Sequence, residues 1–434
     1  MNIEKLYQEF LGSSGISTDS RNLKQNQLFF TLKGELFDAN DYVDEALKKG
    51  ARIVIADRAG MKDKPGVWYV DDALKALQQL ASFHRKQWGG TVFAITGSNG
   101  KTTTKELMAL VLSQKYQLLA TEGNLNNHIG VPLSLLKLKK EELAIIEMGA
   151  NHQGEIRELC LIAKPDTGLI TNIGKAHLEG FGGIEGVEKG KGELFDYLAE
   201  NGKKAVVDGS SEVLMRMAKA RNLPFFSYGD LASEVPGQLN SAEERIDGSF
   251  MWKNERYSFR SELFGSYNYT NILAAVAAGL MFEVDPLMIV KAVQSYEPQN
   301  NRSQRLTGKS NSVIQDAYNA NPSSMALSLT AFSKMNADKK MVILGDMYEL
   351  GKEEQREHEK ILELIGSCAI DKVLLVGPRF GSFSRKDFSS FHFFETTEAC
   401  ITYLEELCPK GFTILMKGSR KNTLEKATKC LLDC

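Results

Sequence analysis

Residues 91–112, TVFAITGSNGKTTTKELMALVL, constrain the chain more than any other stretch. The apolar, β-branched run 91–96 predicts a buried strand. Gly97-Ser98-Asn99-Gly100 predicts a tight turn, and Lys101 onward predicts a helix, with Leu107, Leu110 and Val111 at helical spacing. Strand, glycine turn, Lys-Thr and helix together form a phosphate-binding arrangement. Glycines let backbone N–H groups turn toward an anion, and the helix N-terminus adds partial positive charge. In that arrangement Lys101 reaches terminal phosphates and the Thr102 hydroxyl ligates Mg²⁺. The common form of the motif places a glycine where this chain has Ile95, so the turn is a shorter variant. A plain strand-to-helix turn with a surface lysine is the alternative, and the flanking strand and helix weigh against it.

At 434 residues, with 43% hydrophobic and 25% charged residues, the chain has room for about three globular domains. A formal net charge of −2 argues against a general nucleic-acid or anionic-membrane binder. The start, MNIEKLYQEF, has no apolar signal core, and the longest apolar run, 272–282, is too short to span a bilayer. Cys160, Cys368, Cys400, Cys408, Cys430 and Cys434 show no paired metal spacing. Reduced thiols and a cytoplasmic location are expected.

Residues 1–88 read as a small α/β unit, with strands at 27–34, 52–57 and 67–70 and helices at 41–49 and 71–88. Gly89 and Gly90 mark the first boundary. The polar turn Asp19-Ser20-Arg21 offers groups for a phosphate or uracil edge. Residues 89–298 alternate strand and helix, which predicts a parallel sheet. Strands are expected at 143–147, 167–173 and 205–209. GGIEGVEKGKGELFDYL reads as a helix that contains Lys189 and Lys191, hairpins fill 230–264, and a buried helix begins near Asn268 and Asn271, which share a face. The polar EPQNNRSQ near residue 300 marks the second boundary. Residues 299–434 alternate again as a Rossmann-like domain that lacks G-x-G-x-x-G after its first strand, so no dinucleotide cofactor is indicated. The fold expected is α/β with three domains. The middle one is a parallel-sheet, P-loop ATPase-like domain. Ligands collect beyond the carboxyl ends of such strands, and Lys101, Thr102, Glu147 and His177 all sit there. Glu147 at a neighbouring strand end is the expected second oxygen anchor for Mg²⁺.

Taken together, STDSR, TGSNGKTTTKE, GNLNNHIGVPLSLL, EMGANHQGEI, ITNIGKAHLEGFGG, KGKGELF, SYNYTNILAA, NNRSQ, DAYNANPSSM, LGDMYELG and MKGSR span the chain. In these lines the chain resembles the Mur ligases, ATP-dependent amide-forming enzymes of peptidoglycan precursor synthesis. DAYNANPSSM with LGDMYELG is typical of the member that adds D-alanyl-D-alanine. The resemblance implies two substrates besides ATP, a UDP-N-acetylmuramoyl-tripeptide and D-alanyl-D-alanine, in a monomer with neither nucleic-acid nor membrane partners. It assigns the ATP phosphates to Gly97, Ser98, Asn99, Gly100, Lys101, Thr102 and Thr103, and the nucleotide also to Asn268, Asn271, Arg302 and Asp316. Two Mg²⁺ sites are implied, drawing on Thr102, Glu147, His177 and Lys191, the last as a CO₂-derived carbamate. Lys101, His177 and Lys191 would be catalytic, and Ser20, Thr121 and Asn127 would meet the sugar-nucleotide or peptide. The first domain would bind the UDP-sugar, and the third would bind the dipeptide and close on ATP. The chain departs from many relatives with Gln315 before Asp316 and with Tyr267, in place of histidine, before Asn268. Arg305 rivals Arg302 for the same role.

Overall fold

A computed structural model describes residues 2–384, 388 and 390–434. The chain forms three sheets in succession. The first has four parallel strands in chain order, Ile16–Ser17, Leu28–Phe30, Ile53–Ala56 and Val67–Tyr69. The second has nine. Its edge hairpin, Glu255–Ser261 with Ile246–Trp252, is antiparallel and pairs onto Val235–Ser241. From there the strands run parallel through Phe225–Gly229, Lys204–Asp208, Thr167–Ile170, Thr91–Thr96 and Leu143–Glu147 to Leu118–Ala120. The third sheet runs Gln304–Thr307, Ser312–Asp316, Thr413–Lys417, Lys340–Gly345, Lys372–Val376 and His392–Phe394, antiparallel only in its first pair.

The central sheet changes direction at Thr91–Thr96. Later strands are added on one side of it as Leu143–Glu147 and on the other as Thr167–Ile170, with Ile95 beside Glu147 and Thr96 beside Ile170. The crevice at such a point, beyond the strand ends, is where an open α/β sheet takes ligands. The helix Lys101–Leu112 leaves from there and is covered by the helix Tyr267–Met281. That second helix is apolar on every side and therefore wholly interior, from Ile272 to Leu280.

The helix Ala73–Trp88, capped by Asp72 and stopped by left-handed Gly89, anchors the first sheet to the second. Arg85 Nε donates to Ala163 O at 3.0 Å and Nη2 to Asp166 Oδ2 at 2.6 Å, and Trp88 Nε1 donates to Glu141 O at 2.8 Å. His84 is buried between Tyr7 Oη at 3.2 Å and Leu138 O at 2.9 Å. Burial lowers the His84 pKa from 6.5 more than the Leu138 carbonyl raises it. The unfolded chain therefore takes up a proton before the folded one, and stability falls as pH drops through the ordinary histidine range. Thermal melting of the native chain and of H84Q from about pH 7.5 to about pH 5 should show the native chain losing more of its melting temperature on acidification. Parallel acid profiles would refute this role.

Several elements differ from the sequence expectation. The strand expected at 167–173 ends at Ile170, because Thr171 and Asn172 turn to bond Asn99. The helix at 41–49 starts as a 3-10 turn, Ala39–Tyr42, on an Asp38 cap. The alternation expected through 434 ends in no single helix: Thr423, whose φ of 50° lies in the left-handed region, separates Arg420–Asn422 from Leu424–Ala427 and Thr428–Asp433. All six cysteines are free. Among the described residues no helix is long and apolar enough to cross a membrane.

Candidate active site

The turn after Thr91–Thr96 needs its glycines. Gly97 has φ 139° and Gly100 φ 79°, and an added Cβ would lie 2.0 Å from Thr171 Oγ1 and 2.5 Å from Asn271 Oδ1 respectively. The turn is held from below by the neighbouring loop. Ser98 N donates to Asn172 O at 3.0 Å, and Asn99 N donates to Asn172 Oδ1 at 3.1 Å. Lys101 Nζ donates to Gly97 O at 2.7 Å and Ser98 O at 3.3 Å. Burial draws its pKa down, Glu147 opposes and Arg302 adds to the lowering. An anion above the turn would relieve that burial.

Glu147 ends its strand 2% exposed. Thr102 Oγ1 donates to Oε2 at 2.9 Å, Asn126 Nδ2 donates to Oε1 at 2.8 Å, and Lys105 Nζ stands 4.0 Å from Oε2. A hydroxyl and a carboxylate side by side are hard oxygen donors that suit Mg²⁺ with water and phosphate completing its shell. Among the described residues no group of three or more His, Cys, Asp or Glu side chains is arranged to hold a metal. His177, in a left-handed conformation, turns Nδ1 to the Glu349 carboxylate, which its proximity holds below the usual range. Lys191 is 1% exposed. Its Nζ donates to Ala150 O at 3.1 Å and lies 5.1 Å from the Phe181 ring centre. Burial, reinforced by Lys101, pulls its pKa well below the usual lysine value against Glu155 and Glu193. Lys189 is exposed on another face of the same helix.

A cavity of about 470 Å³ opens over the turn, walled by both the second and the third sheets' domains. Residues 98–103, Glu147, His177, Asn268, Asn271, Arg302, Asp316 and Asn127 line it, whereas Gly97, Ser20, Thr121, Lys191 and Arg305 do not. Asn271 accepts from Thr104 Oγ1 at 3.2 Å and donates to Asn268 Oδ1 at 2.7 Å, which fixes both amides beside the phosphate helix. Arg302 stacks on Tyr318, 3.8 Å from its ring centre. Asp316 Oδ2 accepts from Lys417 Nζ at 2.5 Å and from Ser328 Oγ at 3.4 Å. Tyr267 Oη meets Ser303 and Ser328, and burial, with Asp316 adding, pushes its pKa far up, so the ring supplies a neutral hydroxyl where a histidine was expected. Thr121 Oγ1 accepts from Glu147 N at 2.9 Å, so it holds the strand end in place. Asn127 Oδ1 caps Ile129 N and Gly130 N. Ser20 sits in a 3-10 turn of the first domain whose Asp19 is paired with Arg21 at 2.9 Å. Asn126, Lys105, Tyr318, Lys417 and Glu349 escaped the sequence reading as site residues. All five lie in quoted motifs, and each stands beside a residue already singled out: Asn126 and Lys105 beside Glu147, Tyr318 beside Arg302, Lys417 beside Asp316 and Glu349 beside His177.

Three family comparisons cover most of the chain. The Mur ligase family, catalytic domain, matches residues 13–85; the Mur ligase middle domain matches 95–279; and the Mur ligase, glutamate ligase domain, matches 301–420. The chain is similar to the UDP-N-acetylmuramoyl-tripeptide–D-alanyl-D-alanine ligase of Bacillus subtilis, 35% identical over 431 residues, covering 96% of this chain and 93% of the relative. It is similar to a crystal structure of MurF from Acinetobacter baumannii, with TM-score 0.90 and 31% identity over 99% of this chain and 98% of that one. It is also similar to a MurF ligase from Thermotoga maritima in complex with ADP, with TM-score 0.86 and 27% identity, covering 97% of each chain.

Proposed function

The chain belongs to the Mur ligase family, and from that premise we propose that it joins D-alanyl-D-alanine to a UDP-N-acetylmuramoyl-tripeptide, using ATP and passing through an acyl phosphate. The product is the UDP-N-acetylmuramoyl-pentapeptide of cell-wall synthesis, made in the cytoplasm. The observation that carries this reading is the Thr102–Glu147 contact at the phosphate turn, inside a cavity that two domains share.

A carboxylate is a poor electrophile, so it must be phosphorylated before an amine can displace its oxygen. ATP and that carboxylate repel each other, and the turn N–H groups, Lys101 and Arg302 offset the charge. Lys101 exchanges its two carbonyl partners for phosphate oxygens. Mg²⁺ fits the Thr102 hydroxyl and the Glu147 carboxylate, and when bound it supplies charge neutralisation between the phosphates. Asn268 and Asn271 border the nucleotide, and Asp316 holds Lys417 at the third domain's edge of the cavity. The amine lone pair then attacks the acyl carbon and phosphate leaves with the C–O electrons. Acyl phosphates hydrolyse readily, so water must be kept out. Asn321 Nδ2, from the third domain, donates to Asn99 Oδ1 at 2.7 Å and draws that domain over the turn. In this reading Ser20 and Asn127 serve the sugar-nucleotide side, Thr121 serves it through Glu147, and residues 299–434 receive the dipeptide.

Phosphate release measured with the muramoyl-tripeptide and a panel of amines, with product mass determined, tests this directly. Release is expected only when the tripeptide and D-alanyl-D-alanine are both present, with a product heavier by the dipeptide less one water. No ATP consumption with both substrates would end the reading.

A further inference from the structure

The loop at 171–177 touches both halves of the cavity. On one side it is bonded to the phosphate turn. Thr171 Oγ1 and Asn172 Nδ2 donate to Asn99 O at 2.6 and 3.0 Å, and Gly174 N donates to Ser98 Oγ at 2.9 Å. On the other side it meets the third domain through Lys175 and, at its end, through His177 beside the Glu349 carboxylate. Lys175 N donates to Ser323 Oγ at 2.9 Å, at the start of the helix Pro322–Lys334, and Lys175 Nζ donates to Glu357 Oε1 at 2.7 Å, on the helix Glu354–Gly366. We propose that Lys175 and Glu357 are a positioning pair, a latch that holds the third domain closed over the phosphate turn during the ligase reaction; this rests on the function proposed above.

The local chemistry suits a latch better than a fixed strut. The Glu357 side chain is 5% exposed and also accepts from Lys360 Nζ, on its own helix, at 2.8 Å. Burial pushes the Glu357 carboxyl up, and the two lysines outweigh it to leave it below its usual range. If the domains part, Glu357 keeps Lys360 and gains water, and Lys175, already 40% exposed, gains water too. The pair bridges two domains that each have a sheet of their own, so it acts on the closed-to-open balance. Neither residue lines the cavity, so neither touches nucleotide or substrate. Because the same loop carries the turn's hydrogen bonds, whatever seats the turn also seats Lys175.

The test uses the full chain with K175M, E357Q and the exchanged pair K175E/E357K made together with K360E, which keeps an opposite charge beside residue 357. ADP affinity, thermal melting, small-angle scattering with ADP, and phosphate-release kinetics are measured on each. Each single variant is expected to lose about tenfold in kcat/KM for the dipeptide, to scatter as a more open particle and to bind ADP more weakly, with K175M melting close to the native chain. The exchanged pair should recover most of the loss and the compact scattering. Single variants that match the native chain in scattering and kinetics would overturn the latch. So would losses that track a lowered melting temperature and are not recovered by exchange. If the native chain itself releases no phosphate, the ligase reading falls, and the scattering comparison still decides the latch.

Discussion

Glu147→Gln is expected to lower turnover by on the order of 10²–10³-fold while the melting temperature shifts little. Glutamine keeps the shape of the side chain but replaces one oxygen with an amide that can only donate there. Glu147 now accepts from Thr102 on one oxygen and from Asn126 on the other, so the new NH₂ group either faces the Asn126 amide donor or reverses the bond with the Thr102 hydroxyl. The variant also removes the negative charge beside Lys105 Nζ and the hard anionic donor that Mg²⁺ requires. The Mg²⁺ concentration for half-maximal phosphate release should rise with the fall in rate, whereas ADP binding measured without metal should change little. Turnover near that of the native chain would remove Glu147 from the site.

Glu147 was legible because its cause is local. An apolar strand that ends in a carboxylate, beside another strand that ends in a phosphate turn, aims that carboxylate at the same crevice. The residues that complete its surroundings have tertiary causes. Lys105 lies one helical turn beyond Lys101 and has the pattern of a surface lysine, yet the helix packs so that its ammonium reaches Thr121 O at 2.6 Å. Of the three asparagines near residue 125, only the folded loop selects Asn126 to face Glu147. Arg302 and Arg305 could not be separated by spacing. The third sheet begins at Gln304, which commits Arg305 to the strand ladder with its Nε and Nη2 buried and without hydrogen-bond partners among the described residues. Arg302 stays in the preceding turn, against Tyr318. The long apolar strands and the interior helix Tyr267–Met281 were readable for the same reason as Glu147. Short edge strands such as Leu118–Ala120 and His392–Phe394 were not, because three residues carry no period and their pairing depends on a neighbour already in place.

Lys191→Ala is expected to remove most activity, by about 10²-fold or more, and to regain part of it when short carboxylates such as acetate are added; Lys189→Ala should stay near normal. An ammonium at residue 191 would be repelled by Lys101 and by any metal in the cavity. Burial and that same Lys101 favour the neutral amine instead, and a neutral amine is the form that attacks CO₂. In that step the nitrogen lone pair forms an N–C bond and a proton leaves to water. The side chain then changes from a potential cation to an anion with two hard oxygens. The sign of its interaction with Lys101 reverses from repulsion to attraction, while burial disfavours either charge and Glu155 and Glu193 oppose an anion, so the carbamate needs Lys101 or a bound cation beside it. Acetate in the K191A space restores an oxygen pair without the tether, which is why recovery should be partial and should saturate. Removing CO₂ and bicarbonate should slow the native chain and leave acetate-supported K191A unaffected. Lys189 is the control, since two residues along a helix turn it to solvent, away from Ala150 and Phe181. Equal, mild losses at both lysines, or no response to acetate, would exclude the carbamate and leave Lys191 as a buried amine bonded to one carbonyl.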